Sequence, residues 1–263
     1  MKASVYTSLF NYSPDKFDLF GAFKNWSKYA DEIVIATFED QAKDISAIVG
    51  SEMCGFWDIP EFQIVSCSDT SLNDPLFDGK LKNAALQACS NEIVIQQDMD
   101  ERLGGEVEQW KLLAEMFGKV TPPFSFMIPV IDLFQDYDHY KDINSKWYLH
   151  TKTGSFRGAV NFAHREDGTL DISKSDSCEL IDEKGNLIPY YGDFRFAQDM
   201  DTRYPHIIHL GYLDLTKRAE HNKFRKKCWE AMEGKEVEVA TTVDQLQIEN
   251  KPKPHGFKPQ WWV

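Results

Sequence analysis

Apolar positions in the first half of the chain follow two alternating rhythms. Short runs rich in β-branched residues, Ala3–Phe10, Glu32–Thr37, Phe62–Val65 and Glu92–Gln96, are bounded by polar or turn-forming residues and predict buried strands. Between them the spacing becomes helical. Phe17, Phe20, Phe23 and Trp26 follow Ser13-Pro14, which offers a serine cap and a proline at the first helical position. Residues 41–49 predict a second helix, and residues 50–57 a loop. Leu81, Ala84, Ala85 and Ala88 recur at i, i+3, i+4 and i+7 and predict a third. Val107, Trp110, Leu113, Ala114 and Phe117 mark a fourth, opened after Gly104-Gly105 and stopped by Thr121-Pro122-Pro123, before a strand over Phe124–Ile131.

Strand and helix taking turns predict an α/β fold: a mostly parallel central sheet with helices on both faces. From residue 132 to 205 the alternation lapses into short apolar pieces among Asp, Gly and Tyr, the pattern of hairpins and functional loops. A strand-like run, His206–Tyr212, then leads into a last helix whose buried side carries Phe224, Cys228, Trp229 and Met232. The Pro- and Lys-rich stretch 251–263 reads as an extended tail. No repeat or internal linker divides the chain, so residues 1–131, 132–250 and 251–263 are read as two halves of one domain and its tail.

Composition narrows the picture. Over 263 residues, a hydrophobic content of 42% with 13% aromatic supports a packed core. A net charge of −13 disfavours a nucleic-acid partner held through its phosphates. The five cysteines include no CxxC, which speaks against a zinc site or disulfide framework and fits a reducing cytosol. MKASVYTSLF is too polar for a signal peptide and no window has the apolar length of a membrane span. The expectation is a cytoplasmic protein, acting in solution or at a membrane surface.

Candidate chemistry concentrates in Gly79–Glu101, GKLKNAALQACSNEIVIQQDMDE. Its helix and strand end in Asp98, Asp100 and Glu101, and in open α/β sheets ligands bind at that strand edge. Three close carboxylates repel one another unless a cation relieves them, so a DxD-type site for Mn²⁺ or Mg²⁺ bridging nucleotide phosphates is expected. A second Gln-Asp-Met-Asp, residues 198–201, lacks that prelude and reads as a turn. His206 and His209 stand three apart and point to opposite faces of a strand; His209, followed by Gly211, is placed to approach a metal or phosphate. Glu39 and Asp40 end the second strand, where a carboxylate can accept from a nucleobase. Lys82, and Arg157 in the Gly154–Gly158 loop, are candidates for a diphosphate. The cluster Lys217, Arg218, Lys223, Arg225, Lys226 and Lys227 reads as the solvated face of the last helix. GxSxG, GxxxxGK[ST] and GxGxxG are all missing from the sequence, which removes serine hydrolases, P-loop enzymes and dinucleotide binders from consideration.

With these residues laid out, the chain resembles a family 2-type glycosyltransferase of the GT-A fold. The likeness rests on Phe10-Asn11-Tyr12 after the first strand, IVIATFED, GKLKNAALQACSNEIVIQQDMDE with its DxD at Asp98-Met99-Asp100, and His209-Leu-Gly-Tyr ahead of KRAEHNKFRKKCWE. The resemblance implies a UDP- or GDP-sugar donor bound by residues 1–131, a glycan or other hydroxyl acceptor on the side of residues 132–250, and a divalent metal. It implies metal ligation by Asp100, with Asp98 and His209, and donor contacts from Asp40 and the backbone near Leu9–Asn11. The family's base is a carboxylate of the acceptor half; the expected motif is missing, and Asp199, Glu179, Asp193 and Asp182 are candidates. Two other readings compete: nucleotidyl transfer to a sugar phosphate, weakened by the lack of a Gly-rich loop after the first strand, and a non-catalytic carbohydrate-binding or interaction module.

Overall fold

Period-two burial builds the sheet. In β1 (Ala3–Ser8), β2 (Glu32–Phe38) and β4 (Ile93–Gln96) every residue is buried or nearly so, and alternate side chains serve two separate cores. Val5, Ile33, Ile35 and Ile95 point to one, while Tyr6, Val34, Ala36 and Val94 point to the other. The first core is covered by α1 (Leu19–Trp26), α2 (Ala42–Met53) and α4 (Val107–Phe117) through Phe23, Trp26, Ile45 and Trp110. The second is covered by α3 (Phe77–Ala88) through Phe77, Leu81, Ala85 and Leu86. The computed structural model describes residues 2–12, 18–53, 61–74, 77–160, 177–191, 203–233, 236–250 and 253–254.

Ten strands join one sheet. Its main path runs β3-β2-β1-β4-β7-β6-β11-β5, with β3 (Glu61–Cys67), β5 (Glu101–Gly104), β6 (Ser125–Leu133), β7 (His139–Thr151) and β11 (His206–His209). The short β10 (Tyr190–Tyr191) pairs with β6 and β12 (Lys253–Pro254) with β7. Five of the nine pairings described within this sheet are parallel, including every one from β3 to β4. The expected mixed α/β architecture with helices on both faces is therefore present. A separate hairpin, β8 (Phe156–Val160) with β9 (Ser177–Ile181), lies against α3. Two further helices, α5 (Leu215–Glu233) and α6 (Val243–Glu249), follow β11.

Three local differences from the sequence reading matter for the site. Residues expected to be irregular include the 13-residue β7, held between β4 and β6. Residues 101–104, for which the sequence pattern predicts no strand, form β5 and pair antiparallel with β11, setting His209 opposite Glu101. Asp18 caps α1, accepting from the Gly21 amide at 2.9 Å; the expected cap, Ser13, lies outside the described residues.

Candidate functional site

The acidic turn after β4 is fastened from every side. Its backbone closes through Glu101 N–H to Asp98 O at 2.9 Å, and the Asp98 amide donates to Glu101 Oε2 at 2.9 Å. Glu101 accepts at its other carboxylate oxygen from the Tyr148 hydroxyl of β7 at 2.7 Å and is almost fully buried. This third carboxylate of the sequence cluster thus turns inward and braces the turn. Arg102, also buried, donates from Nη1 to the carbonyls of Met99 and Glu101 at 2.9 Å each, and from Nη2 to Asp18. Leu210 donates its amide to Asp100 O at 2.7 Å, tying the turn to the segment after β11.

Asp98 and Asp100 are left facing outward. Asp98 meets the buried Lys82 of α3 at 2.9 Å, and Lys82 also reaches Asp78 at 3.1 Å. Lys82 therefore stands beside the DxD turn, balancing one of its carboxylates. Asp100 Oδ2 lies 3.2 Å from His209 Nε2, while His209 Nδ1 lies 2.6 Å from Asp132 Oδ1 at the end of β6. The sequence brought out Asp100 and His209; Asp132, at the end of a strand predicted to finish at Ile131, was not singled out. A histidine whose far nitrogen is held by a carboxylate has its ring plane and tautomer set by that second partner.

Electrostatics follow from this packing. Burial alone would raise the Asp100 carboxyl, but His209, with Arg218 and His221 of α5 beyond it, draws it well below the usual carboxylate range. Burial would lower the His209 imidazole, but Asp100 and Asp132 more than offset this and raise it. Arg218 is thus not a plain surface residue of α5, as the sequence reading had it. Its guanidinium sits 4.2 Å from the Tyr212 ring centroid and donates to the Tyr212 hydroxyl at 3.1 Å.

Whether a divalent cation fits can be tested on the donor atoms. Two ligands at about 2.1 Å from an octahedral ion and at right angles to one another are about 3.0 Å apart, close to the 3.2 Å between Asp100 Oδ2 and His209 Nε2. Gly211 leaves the approach open: a Cβ there would lie 2.6 Å from His209 Nε2 and 2.7 Å from Asp100 Oδ2. Asp132 supplies the supporting carboxylate. The residues fit such an ion, although no group of three or more His, Cys, Asp or Glu side chains is gathered for a metal among the described residues.

A cleft of about 360 Å³ lies at the C-terminal ends of β2 and β3, lined by Phe38, Glu39, Asp40, Gln41, Cys67 and neighbours up to Asn73. Asn11, with φ 48°, is clasped to it: its amide donates to Gln41 Oε1 at 2.7 Å and its side-chain oxygen accepts from Gln41 Nε2 at 3.1 Å. Ser8, at the end of β1, donates to Asp78 at 3.0 Å. Contacts therefore run from the end of β1 through Asp78 and Lys82 to Asp98. Arg157 is placed differently from the sequence reading: it is a buried residue of β8, and its amide donates to Asn83 of α3 at 3.0 Å.

Among the base candidates, Asp182 caps its own turn, accepting from the Lys184 and Asn186 amides at 2.8 Å each. Glu179 lies on β9 but its side chain is outside the described set, as are Asp193, Asp199 and the whole second Gln-Asp-Met-Asp. His206 makes a separate contact, through Nδ1 to Tyr204 O at 2.8 Å.

No family model matches the chain and no curated protein matches it in sequence. Among solved structures it is similar to residues 1–349 of TarS from S. aureus, at 16% identity and TM-score 0.36 over 58% of this chain and 47% of that one. The same fragment in complex with UDP matches at 15% identity and TM-score 0.36 over the same shares, 58% and 47%. HddC from Yersinia pseudotuberculosis matches at 11% and TM-score 0.31, over 57% of this chain and 71% of that one. The match spans about half the length of the TarS fragment, and likeness this low assigns no activity to the chain.

Proposed function

We propose that the chain is a glycosyltransferase that takes a sugar from a nucleoside-diphosphate donor, a UDP- or GDP-sugar, and passes it to an acceptor hydroxyl. The observation that carries this reading is the pair Asp100 Oδ2 and His209 Nε2, 3.2 Å apart across the space left by Gly211, at the ligand-binding edge of an α/β sheet. The cleft beside β2 and β3 suits the nucleoside, with Asp40 as acceptor for a base N–H and the Leu9–Asn11 backbone along the ribose. Asp98 takes the ribose side of the turn. Lys82, desolvated and already bridging two carboxylates, holds positive charge where the diphosphate would enter.

Asp100 and His209, with Asp98, would hold a Mn²⁺ or Mg²⁺ ion, which offsets the charge that develops on a departing diphosphate. In the reaction the acceptor hydroxyl gives its proton to a base, its oxygen forms a bond to the anomeric carbon, and the bond from that carbon to the diphosphate oxygen breaks, its electron pair leaving with the nucleoside diphosphate. The base is sought among Glu179, Asp193 and Asp199. The surrounding braces, Glu101–Tyr148 and Arg102–Asp18, keep the turn rigid, so little reorganisation is needed when charge appears.

A screen of UDP- and GDP-sugars, with and without Mn²⁺ and read by nucleoside diphosphate release, tests the proposal. Metal-dependent release that disappears in Asp100→Ala is the expected result. Absence of binding to any nucleoside diphosphate by calorimetry would refute it.

A further inference from the structure

On the other side of His209 lies a second cavity of about 270 Å³, between β7, α5 and α6, whose lining includes Lys141, Tyr212, Arg218, Asn222, Arg225 and Glu238. It shares no lining residue with the cleft beside β2 and β3. Glu238 is its one carboxylate among the described lining residues, against three permanent or near-permanent cations, in a chain whose net charge is −13. That inversion of sign is local and deliberate in its geometry.

Two of these cations converge on one oxygen. Lys141 Nζ and Arg218 Nη2 each donate to the Tyr212 hydroxyl at 3.1 Å, so the two cannot be farther apart than twice that distance. Both also stand over the same ring, 4.3 and 4.2 Å from its centroid. No carboxylate among the described residues is within ion-pair distance of either. A phenol that accepts from two donors still has its own proton to give, and no acceptor for it stands among the described residues. Arg218 Nε is a further buried donor with no acceptor in the described set.

From this convergence of donors and charge we infer that the cavity binds a phosphoryl group, and that the group belongs to the second substrate and not to the nucleotide donor. A tetrahedral oxyanion can accept from a hydroxyl, an ammonium and a guanidinium at once, which a planar or neutral ligand cannot do as fully. The Tyr212 ring packs edge-on against His209, centroids 5.8 Å apart, so a group bound there is one ring away from the candidate metal ligands. This assignment to an acceptor rests on the glycosyltransferase reading; the anion site itself does not. It makes the acceptor a phosphate-bearing molecule whose hydroxyl is presented across His209 to the donor.

Calorimetric titration of the full chain with inorganic phosphate and with glycerol phosphate tests the inference. Both should bind the wild type, glycerol phosphate at least as tightly, because the cavity has room for a substituent. Tyr212→Phe keeps the ring and its stacking but removes the proton donor, and should weaken binding by at least tenfold; Lys141→Met should do the same from the opposite side. Saturating UDP with Mn²⁺ should leave phosphate binding unchanged. Displacement by UDP would overturn the inference by making the cavity a donor subsite, as would wild-type affinity in both variants, strong preference for free inorganic phosphate, or no binding. If phosphate binds but no nucleoside diphosphate does, the glycosyltransferase reading fails and the anion site stands.

Discussion

Gly211→Ala isolates the proposed metal position with a single methyl group. The added Cβ would lie 2.6 Å from His209 Nε2 and 2.7 Å from Asp100 Oδ2, inside the 3.0 Å that real Cβ contacts essentially never breach. Relaxing to an ordinary contact of about 3.5 Å demands a displacement of roughly 0.8 Å in each donor atom. Neither atom can yield alone. His209 is pinned through Nδ1 to Asp132 at 2.6 Å, and the Asp100 backbone carbonyl is held by the Leu210 amide at 2.7 Å. Gly211 is not among the glycines with positive φ, so alanine adds no backbone strain and the perturbation is confined to the site. A misplacement approaching 1 Å in a catalytic constellation costs about 100-fold, so Mn²⁺-dependent nucleoside diphosphate release should fall by about two orders of magnitude. Mn²⁺ affinity, followed by electron paramagnetic resonance, should fall with it, while thermal unfolding without metal should show only the roughly 1–3 kcal/mol cost of an overpacked site. Gly118→Ala serves as the control, because a Cβ there meets nothing closer than 3.7 Å. Wild-type Mn²⁺ affinity and turnover in Gly211→Ala would show that the space between these two donors is not where the cation sits.

Three further perturbations probe the scaffold around that space. Asp132→Asn keeps the shape but removes the charge that orients His209, and should cost 10- to 100-fold in Mn²⁺ affinity by titration; an unchanged affinity would remove Asp132 from the site. Glu32, almost fully buried, accepts from the Ser4 hydroxyl and from the Ser90 amide and hydroxyl at 2.8 and 2.9 Å. Glu32→Ala should destabilise the fold by about 3 kcal/mol, a fall in Tm of roughly 6–12 °C for a chain of this size, and a shift under about 2 °C would contradict that account. His150 is buried against the Tyr6 hydroxyl at 2.8 Å, and burial lowers its imidazole to about 3. Between that value and the ordinary 6.5 the unfolded chain binds the extra proton, so stability is present above about 6.5 and drains away as pH falls. From pH 7 to pH 5 this one residue should cost about 2 kcal/mol in urea unfolding, and His150→Gln should have a flatter profile.

How much of this was legible in the sequence depended on whether a residue's partners were near it in the chain. The parallel half was legible because β1, β2 and β4 are buried on both faces and read as unbroken apolar runs. β7 was not, because HYKDINSKWYLHT contains few strand-forming runs, and its burial depends on distant partners: Tyr148 on Glu101, His150 on Tyr6, Thr151 on the Phe124 amide. Asp98, Asp100 and His209 were legible as a motif plus a resemblance. Glu101 looked like a third member of the cluster, and only Tyr148, 47 positions later, shows why it turns inward. Arg218 read as surface because a run of Lys and Arg on a helix is ordinarily solvated; nothing local reveals that Tyr212 lies beneath it.

One imidazole stands between the cation-lined cavity and the proposed metal position, and this restricts how the two can act on each other. Asp132 fixes the His209 ring through Nδ1, Tyr212 lies edge-on to it, and Nε2 is left facing Asp100 and the space at Gly211. Turning the ring would give up a hydrogen bond to a buried carboxylate, worth about 1.5–3 kcal/mol, with no alternative partner for Nδ1 among the described contacts. The ring therefore works as a wall of set position between the space at Gly211 on one side and a cluster of cations on the other. A donor anchored by its nucleoside and an acceptor anchored by an anionic group would meet there with their reacting atoms confined to the gap between. Binding energy from both distant anchors is then spent on alignment at the one place where bonds change, which is how remote contacts raise turnover as well as affinity.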